Sequence, residues 1–512
     1  MRTESSIKNI SISMFSQIIT ILLGFISRKV FLNNLGMDYL GINGVLSSVL
    51  SMLSLVEGGV GTSIIFNLYK PLAERDEDKV IALVQLYKRV YKFLAIAVLS
   101  LSICIYPIVI TIVNRDTNIS NSSIIYFIFV MNNVITYFNA HKWSLINADQ
   151  RGYILAKYSL VFSVSTTICK IIILSVTQNY ILFLVIEGVI FIIQNIWNGR
   201  VVEKLYPYIK TKNKYIIDND TKENLIKNVK AIFLHNVGGY CVFGTDNLLI
   251  SYFVSVKTVG IYSNYTLIMN QLSDLLKPIL TGIGASVGNL IATEGEEKNY
   301  QVFNIVYLIN FWIYSFATIF LYNLLEPFIA WFFGENLLIG KLTFSVVLVN
   351  FYLNGMRTSS TIFKTKAGIF VKDKYVPLVE ATINLGASLI LVRYFGLAGI
   401  FMGTTISTLA LPFWTFPTLI YRNVFKRSVK DYFKKYAIYF SITIITGFIT
   451  TFVCNLVVEI SFVTLVIKGI ICLIIPNSIY LAIFYRTDEV KYILNIIKSL
   501  GYNVMRKLAK SA

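Results

Sequence analysis

Apolar positions in this chain run together in long blocks, with the polar and charged positions gathered between them. Neither the one-sided stripe of a surface helix nor the strict alternation of a half-buried strand describes that pattern. On a window of roughly 20 residues per membrane span, about fourteen segments emerge, near residues 10–31, 42–66, 86–113, 120–140, 153–176, 178–198, 231–254, 259–291, 301–323, 338–360, 375–395, 397–421, 437–458 and 461–485. Within 153–198 and 375–421 the divisions rest on the turn signals "TQN" and "RYFGLAG". The segments are too long and too continuously apolar for barrel strands, and lipid satisfies no backbone hydrogen bond, so helices are predicted throughout. The first run has no small-residue cleavage pattern behind it and is expected to remain as a span.

Composition agrees with the pattern: 512 residues, 55% hydrophobic and 14% charged, with a mean hydropathy of +0.66. The predicted fold is an all-α polytopic membrane protein with about fourteen transmembrane helices. The longest polar interval, residues 201–230, is expected to be a cytoplasmic linker between a six-helix lobe at 1–200 and a second at 231–436. Two further transmembrane helices at 437–485 and a basic cytoplasmic tail at 486–512 complete the expected domain organisation.

Charge adds an orientation. The chain has 46 Lys and Arg against 27 Asp and Glu, a net charge of +19. The basic connections, among them "YKPLAERDEDK", "FKTKAGIFVKDK" and "YRNVFKRSVKDYFKK", follow every second span. Arg28, Lys29, Arg115, Lys257, Lys341 and Arg393 fall on the opposite side, and Lys170, Lys277, Arg357 and Lys468 within spans. Such positive-inside asymmetry places both termini in the cytoplasm. Basic loops against an anionic leaflet account for the net charge, so no nucleic-acid partner is expected.

The candidate chemistry is sparse. The five cysteines lie in apolar runs without a CxxC pattern or His partners, and His141 and His235 lack the carboxylate or thiol neighbours of a metal site. No phosphate loop, nucleophile elbow or zinc signature is present. Neither an enzymatic activity nor a cofactor or metal is expected. Aromatics near segment ends, as in "YKRVYKF" and "KDYFKKYAIYF", read first as interfacial anchors. There is also a faint internal echo: Gly41-Ile42 and Gly260-Ile261 each follow an outer turn and open a long helix, the pattern of a parallel two-lobe repeat or a coincidence of glycine-containing turns.

The stretch "SRKVFLNNLGMDYLGINGVLSSVLSMLSLVEGGVGTSIIFNLYKPLAERDEDKV" resembles the opening of the polysaccharide transporter family, the Wzx-type flippases for lipid-linked oligosaccharides. "GTDNLLISYFVSVKTVGIYSNYTLI" and "AGIFVKDKYVPLVEATINLGASLILVRYFGLAGIFMGTTIS" are similar to its later segments, in the same order. The resemblance implies the two-lobe fold of the multidrug/oligosaccharidyl-lipid/polysaccharide exporter superfamily. It also implies flipping of an undecaprenyl-diphosphate-linked oligosaccharide repeat unit from the inner to the outer leaflet of a bacterial cytoplasmic membrane, for capsular or other surface polysaccharide. A proton or sodium gradient is the expected drive. Membrane lipids, a polysaccharide polymerase and assembly proteins are the expected partners.

Those implications give the intramembrane charges candidate roles. A diphosphate crossing a low-dielectric region needs hydrated, inward-facing cations. Arg28 suits that role because a guanidinium holds phosphate oxygens bidentately and stays charged; flippases similar to this chain carry a basic residue in the first helix. Lys29 reads instead as a headgroup anchor. Arg357, Lys277 and Lys170 are further diphosphate candidates, each open to the alternative of simple ion pairing. Glu57, among glycines in "LSLVEGGVGTS", Asp246 in "FGTDNLLIS" and Asp274 are candidates for ion coupling. A multidrug or peptidoglycan-precursor exporter of the same superfamily is the alternative reading. A membrane glycosyltransferase or polymerase fits less well, because the outer connections are short or mainly apolar.

Overall fold

With no water to satisfy its peptide groups, a lipid-embedded chain must pair them within itself, and every regular element among the described residues is helical. The computed structural model describes residues 2–115, 117, 119–369, 372–373 and 375–495. Among them ten helices are long and apolar enough to cross a membrane, or eleven if the pair Ser122–Tyr137 and Ala140–Ala148, bent by 46°, forms one broken span. The protein is therefore an all-α, multi-pass membrane protein. The count of about fourteen is not confirmed, although helix covers most of each of the fourteen predicted segments. The physical reason is visible in Lys341–Lys366, 26 residues long and thus able to span by length, where Asn350, Asn354 and Arg357 interrupt the apolar run.

The chain divides into two compact units, Met1–Asn264 with Pro377–Thr382, and Tyr265–Val376 with Ile383–Ala512. The first holds α1 (Arg2–Leu35), α2 (Met37–Leu53), α3 (Val60–Glu74), α4 (Glu77–Arg115), α5 (Ser122–Tyr137), α6 (Ala140–Ala148), α7 (Tyr153–Thr177), α8 (Tyr180–Leu205), α9 (Asn219–Phe243), α10 (Asp246–Phe253) and the start of α11 (Val256–Thr293). Within it α1 packs along α7, α7 on α8, α4 on α5, and α3 against α6 and α9. The polar interval before α9 is tied back to α4: Gln85 Nε2 donates to the Asn213 carbonyl at 2.7 Å, and Lys79 pairs with Asp218 at 3.1 Å.

The two glycines of the sequence echo meet in this unit. A Cβ on Gly41 would lie 2.0 Å from the Val256 carbonyl oxygen, and one on Gly260 2.5 Å from the Met37 carbonyl oxygen. Each glycine thus receives the carbonyl four residues before the other, a reciprocal crossing of the starts of α2 and α11 that tolerates no side chain.

The second unit holds the rest of α11, α12 (Glu296–Phe332), α13 (Lys341–Lys366), most of α14 (Val376–Phe395), α15 (Leu397–Ala410), α16 (Pro412–Ile420), α17 (Lys430–Cys454) and α18 (Phe462–Phe484). Its core is aromatic. Phe303, Tyr307 and Phe311 share one face of α12 at intervals of four residues and pack on Tyr432 and Tyr439 of α17 and Tyr480 of α18. Phe311 stacks on Tyr439 at 4.3 Å and Tyr307 on Tyr432 at 5.0 Å. Tyr432, Tyr436 and Tyr439, read from sequence as interfacial anchors, are buried. Their four- and three-residue spacing along α17 turns them inward, where packing of large rings supplies the contact that lipid cannot.

Candidate functional site

The site forms where the second predicted span breaks. After α2 the chain makes one tight turn, Ser54–Glu57, and then two successive left-handed residues, Gly58 at φ 57° and Gly59 at φ 77°, before α3 begins. Left-handed backbone costs an L side chain about 1–2 kcal/mol per residue, which glycine avoids. Close approach by α9 adds a second reason: a Cβ on Gly59 would lie 2.1 Å from Ile232 Cγ2. The break opens a cavity of about 470 Å³ bordered by Ser51, Ser54, Glu57, Thr62, Asn236 and Tyr240. Glu57 stands one turn from the start of α3, whose first amides and dipole favour negative charge.

A chain of hydroxyls holds this carboxylate. The Tyr91 hydroxyl donates to Glu57 Oε1, the Tyr87 and Tyr91 rings meet edge-on at 4.3 Å, and Ser144 Oγ donates to the Tyr87 hydroxyl at 3.0 Å. Gly61 makes room for the group, since a Cβ there would lie 2.7 Å from the Tyr87 hydroxyl, 2.8 Å from that of Tyr91 and 2.9 Å from Glu57 Oε1. On the other side of the cavity the Tyr240 hydroxyl donates to the Ser48 carbonyl, and Asn247 Nδ2 donates to Ser48 Oγ at 3.0 Å. Tyr87, Tyr91 and Ser144 were not legible as site residues. The four-residue spacing of the tyrosines in "YKRVY", which puts both on one helix face, was the available signal.

The other candidates are dispersed. Arg28 does not border this cavity; its Nη1 donates to Ser263 Oγ on α11 at 3.1 Å, and the Ser263 hydroxyl in turn donates to the Gly260 carbonyl at 2.7 Å. Arg28 is therefore held beside the glycine crossing, while Lys29 is exposed. Asp246 opens α10 with its Oδ1 buried and without a hydrogen-bond partner among the described residues. Lys170 is paired with Glu187 at 2.7 Å and lies 4.2 Å from the centre of the Phe183 ring.

In the second unit, Arg357 Nη2 donates to Asn354 Oδ1 at 3.0 Å and its guanidinium lies over Phe416 at 5.6 Å. Asp274 is exposed on α11, and the Lys277 side chain lies outside the described residues. Two further charged side chains escaped the sequence reading: Lys364 and Asp373 form a buried ion pair, with the Lys364 ammonium 3.8 Å from the Phe416 ring centre. No group of three or more metal-ligating side chains occurs among the described residues.

No protein-family sequence model and no curated protein matches the chain. Solved structures do match it by fold. An inward closed conformation of the lipid II flippase MurJ superposes with a TM-score of 0.65 at 14% identity, covering 93% of this chain and all (100%) of that one. An inward-facing multidrug resistance MATE family transporter of the MOP superfamily gives 0.59 at 14% identity, over 81% and 98% of the two chains. A MOP superfamily transporter from Pyrococcus furiosus gives 0.55, also at 14% identity, over 83% and 95%. The chain has the fold of the MOP superfamily transporters.

Proposed function

We propose that this protein is a flippase that moves undecaprenyl-diphosphate-linked oligosaccharide repeat units from the inner to the outer leaflet of the bacterial cytoplasmic membrane, driven by a proton or sodium gradient. The observation that carries the reading is the fold shared over 93% of the chain with a neighbour named as a lipid II flippase. The resemblance of residues 27–80 to oligosaccharide flippases narrows the cargo to a repeat unit.

In this reading Arg28 meets the diphosphate. Its guanidinium is held by a single serine hydroxyl through Nη1, which leaves donors of the fork for phosphate oxygens. Glu57 is the coupling group: a carboxylate at a helix break, bordering a cavity, with a tyrosine hydroxyl on one oxygen. Binding of a cation to that carboxylate in one conformation and its release in another would supply the differential affinity that coupling requires. A multidrug or peptidoglycan-precursor exporter of the same superfamily is the second reading, favoured by the fold likeness to MATE transporters and to the lipid II flippase.

The deciding experiment is reconstitution. Purified protein in liposomes should carry a diphosphate-linked oligosaccharide lipid from one leaflet to the other. Arg28→Ala should slow transport roughly tenfold to hundredfold, the equivalent of about 1.5–3 kcal/mol for lost charge-assisted hydrogen bonds, with the protein present at normal level. Drug efflux without lipid transfer would replace this reading with the second.

A further inference from the structure

A small cavity in the second unit is walled by groups that the proposed transport path leaves unused. Arg357 and Ser360 of α13 approach it, with Thr408 of α15, Pro412 at the start of α16, and Tyr432 and Tyr436 one turn apart on α17. The cavity measures about 10 Å³, enough for one atom-sized occupant and far too small for a phosphate. Three residues of its wall carry a buried hydroxyl that makes no hydrogen bond among the described residues, Ser360, Thr408 and Tyr436. All three residues are more than nine-tenths buried, at 0%, 3% and 9% exposure. A helical threonine ordinarily returns its hydroxyl to the carbonyl four residues back, and buried hydroxyls without partners are rare enough to signal an occupant.

The chemistry of the wall defines that occupant. A guanidinium has only donors, and the hydroxyls are free to donate. The break at Leu411–Pro412 brings the last turn of α15, with Thr408, and the first turn of α16 to the same wall, where the two helix-end dipoles oppose one another and leave Arg357 to set the sign. A cation is repelled by Arg357, and a polyatomic anion does not fit.

We propose that this cavity is a binding site for a single halide ion, chloride in the cell, held by Arg357 and the hydroxyls of Thr408 and Tyr436. The ion joins α13, α15, α16 and α17, so its role is to stabilise the second unit from within. The proposal stands independently of the transported substrate.

The test is anion-dependent stability of the full-length protein, purified in detergent with gluconate as the only anion and titrated with chloride or bromide at constant ionic strength. The thermal midpoint should rise saturably with chloride and with bromide and stay flat with sulfate. Arg357→Gln should abolish the response, and Thr408→Val should weaken the apparent halide affinity about tenfold, the scale of one hydrogen bond to a charged group. Crystals grown in bromide should show its anomalous signal in this cavity. Equal midpoints in chloride and gluconate, the result for a cavity holding only water, would overturn the proposal. An unaltered halide response in Arg357→Gln would do the same. Should that variant fail to fold, unchanged halide affinity in Thr408→Val is the overturning result.

Discussion

At the scale of single residues, the site depends as much on missing side chains as on charged ones. Gly61 is open because three oxygens crowd its missing Cβ. Gly61→Ala is expected to destabilise the protein by about 1–3 kcal/mol, the usual range for overpacking, and to cut transport as the Tyr91–Glu57 hydrogen bond is displaced. A melting curve together with a transport assay would show this, and an unaltered melting temperature would refute it. Asp218 makes a different kind of prediction. It caps α9, accepting from the Thr221 amide at 2.9 Å and its hydroxyl at 2.8 Å, and pairs with Lys79. These donors hold its carboxyl well below the usual range. Because the folded pKa is the depressed one, this stabilisation is present at neutral pH and is lost as pH falls below the unfolded value of about 3.9. Asp218→Asn should flatten that acid-side loss in a melting series while retaining most of the cap, and Asp218→Ala should lose both.

At the scale of elements, single polar contacts pin packed pairs of helices at defined points. Lys170 on α7 and Glu187 on α8 illustrate this. Lys170→Met should cost roughly 1–2 kcal/mol, less than a fully buried pair because Glu187 is 40% exposed. The double change with Glu187→Met should recover most of the loss; a double-mutant cycle without coupling would rule the pair out as a contributor. The spans themselves were legible because long apolar runs have one economical solution in lipid. The helix breaks were only partly so: "EGGVG" announced glycines, but the left-handed geometry of Gly58 and Gly59 depends on how α9 approaches them. The inward turn of Tyr87 and Tyr91 was obscured by lysines and arginine around them, which mark a membrane boundary whether the rings face lipid or core.

At the scale of the whole molecule, the sequence carried the class of the protein and left its site dispersed. Arg28 and Glu57 were both recognisable as unusual charges in apolar surroundings, yet their partners, Ser263 and Tyr91, are 235 and 34 residues away along the chain. No local pattern encodes such pairs. Orientation belongs to this scale too. In a background without native cysteines, Lys212→Cys should react with an impermeant thiol reagent from the cytoplasmic side, and Ser120→Cys from the opposite side. Labelling of both from one side would overturn the topology inferred from basic residues.

The two left-handed glycines also bear on where solvent reaches the backbone. An ordinary transmembrane helix exchanges its amide hydrogens from the ends inward, since its middle is the part most thoroughly sealed by its own hydrogen-bond ladder. Between α2 and α3 that ladder has a gap beside a polar cavity, so deuterium should enter around residues 59–62 before it reaches the flanking turns. This pair of helices should fray from its junction.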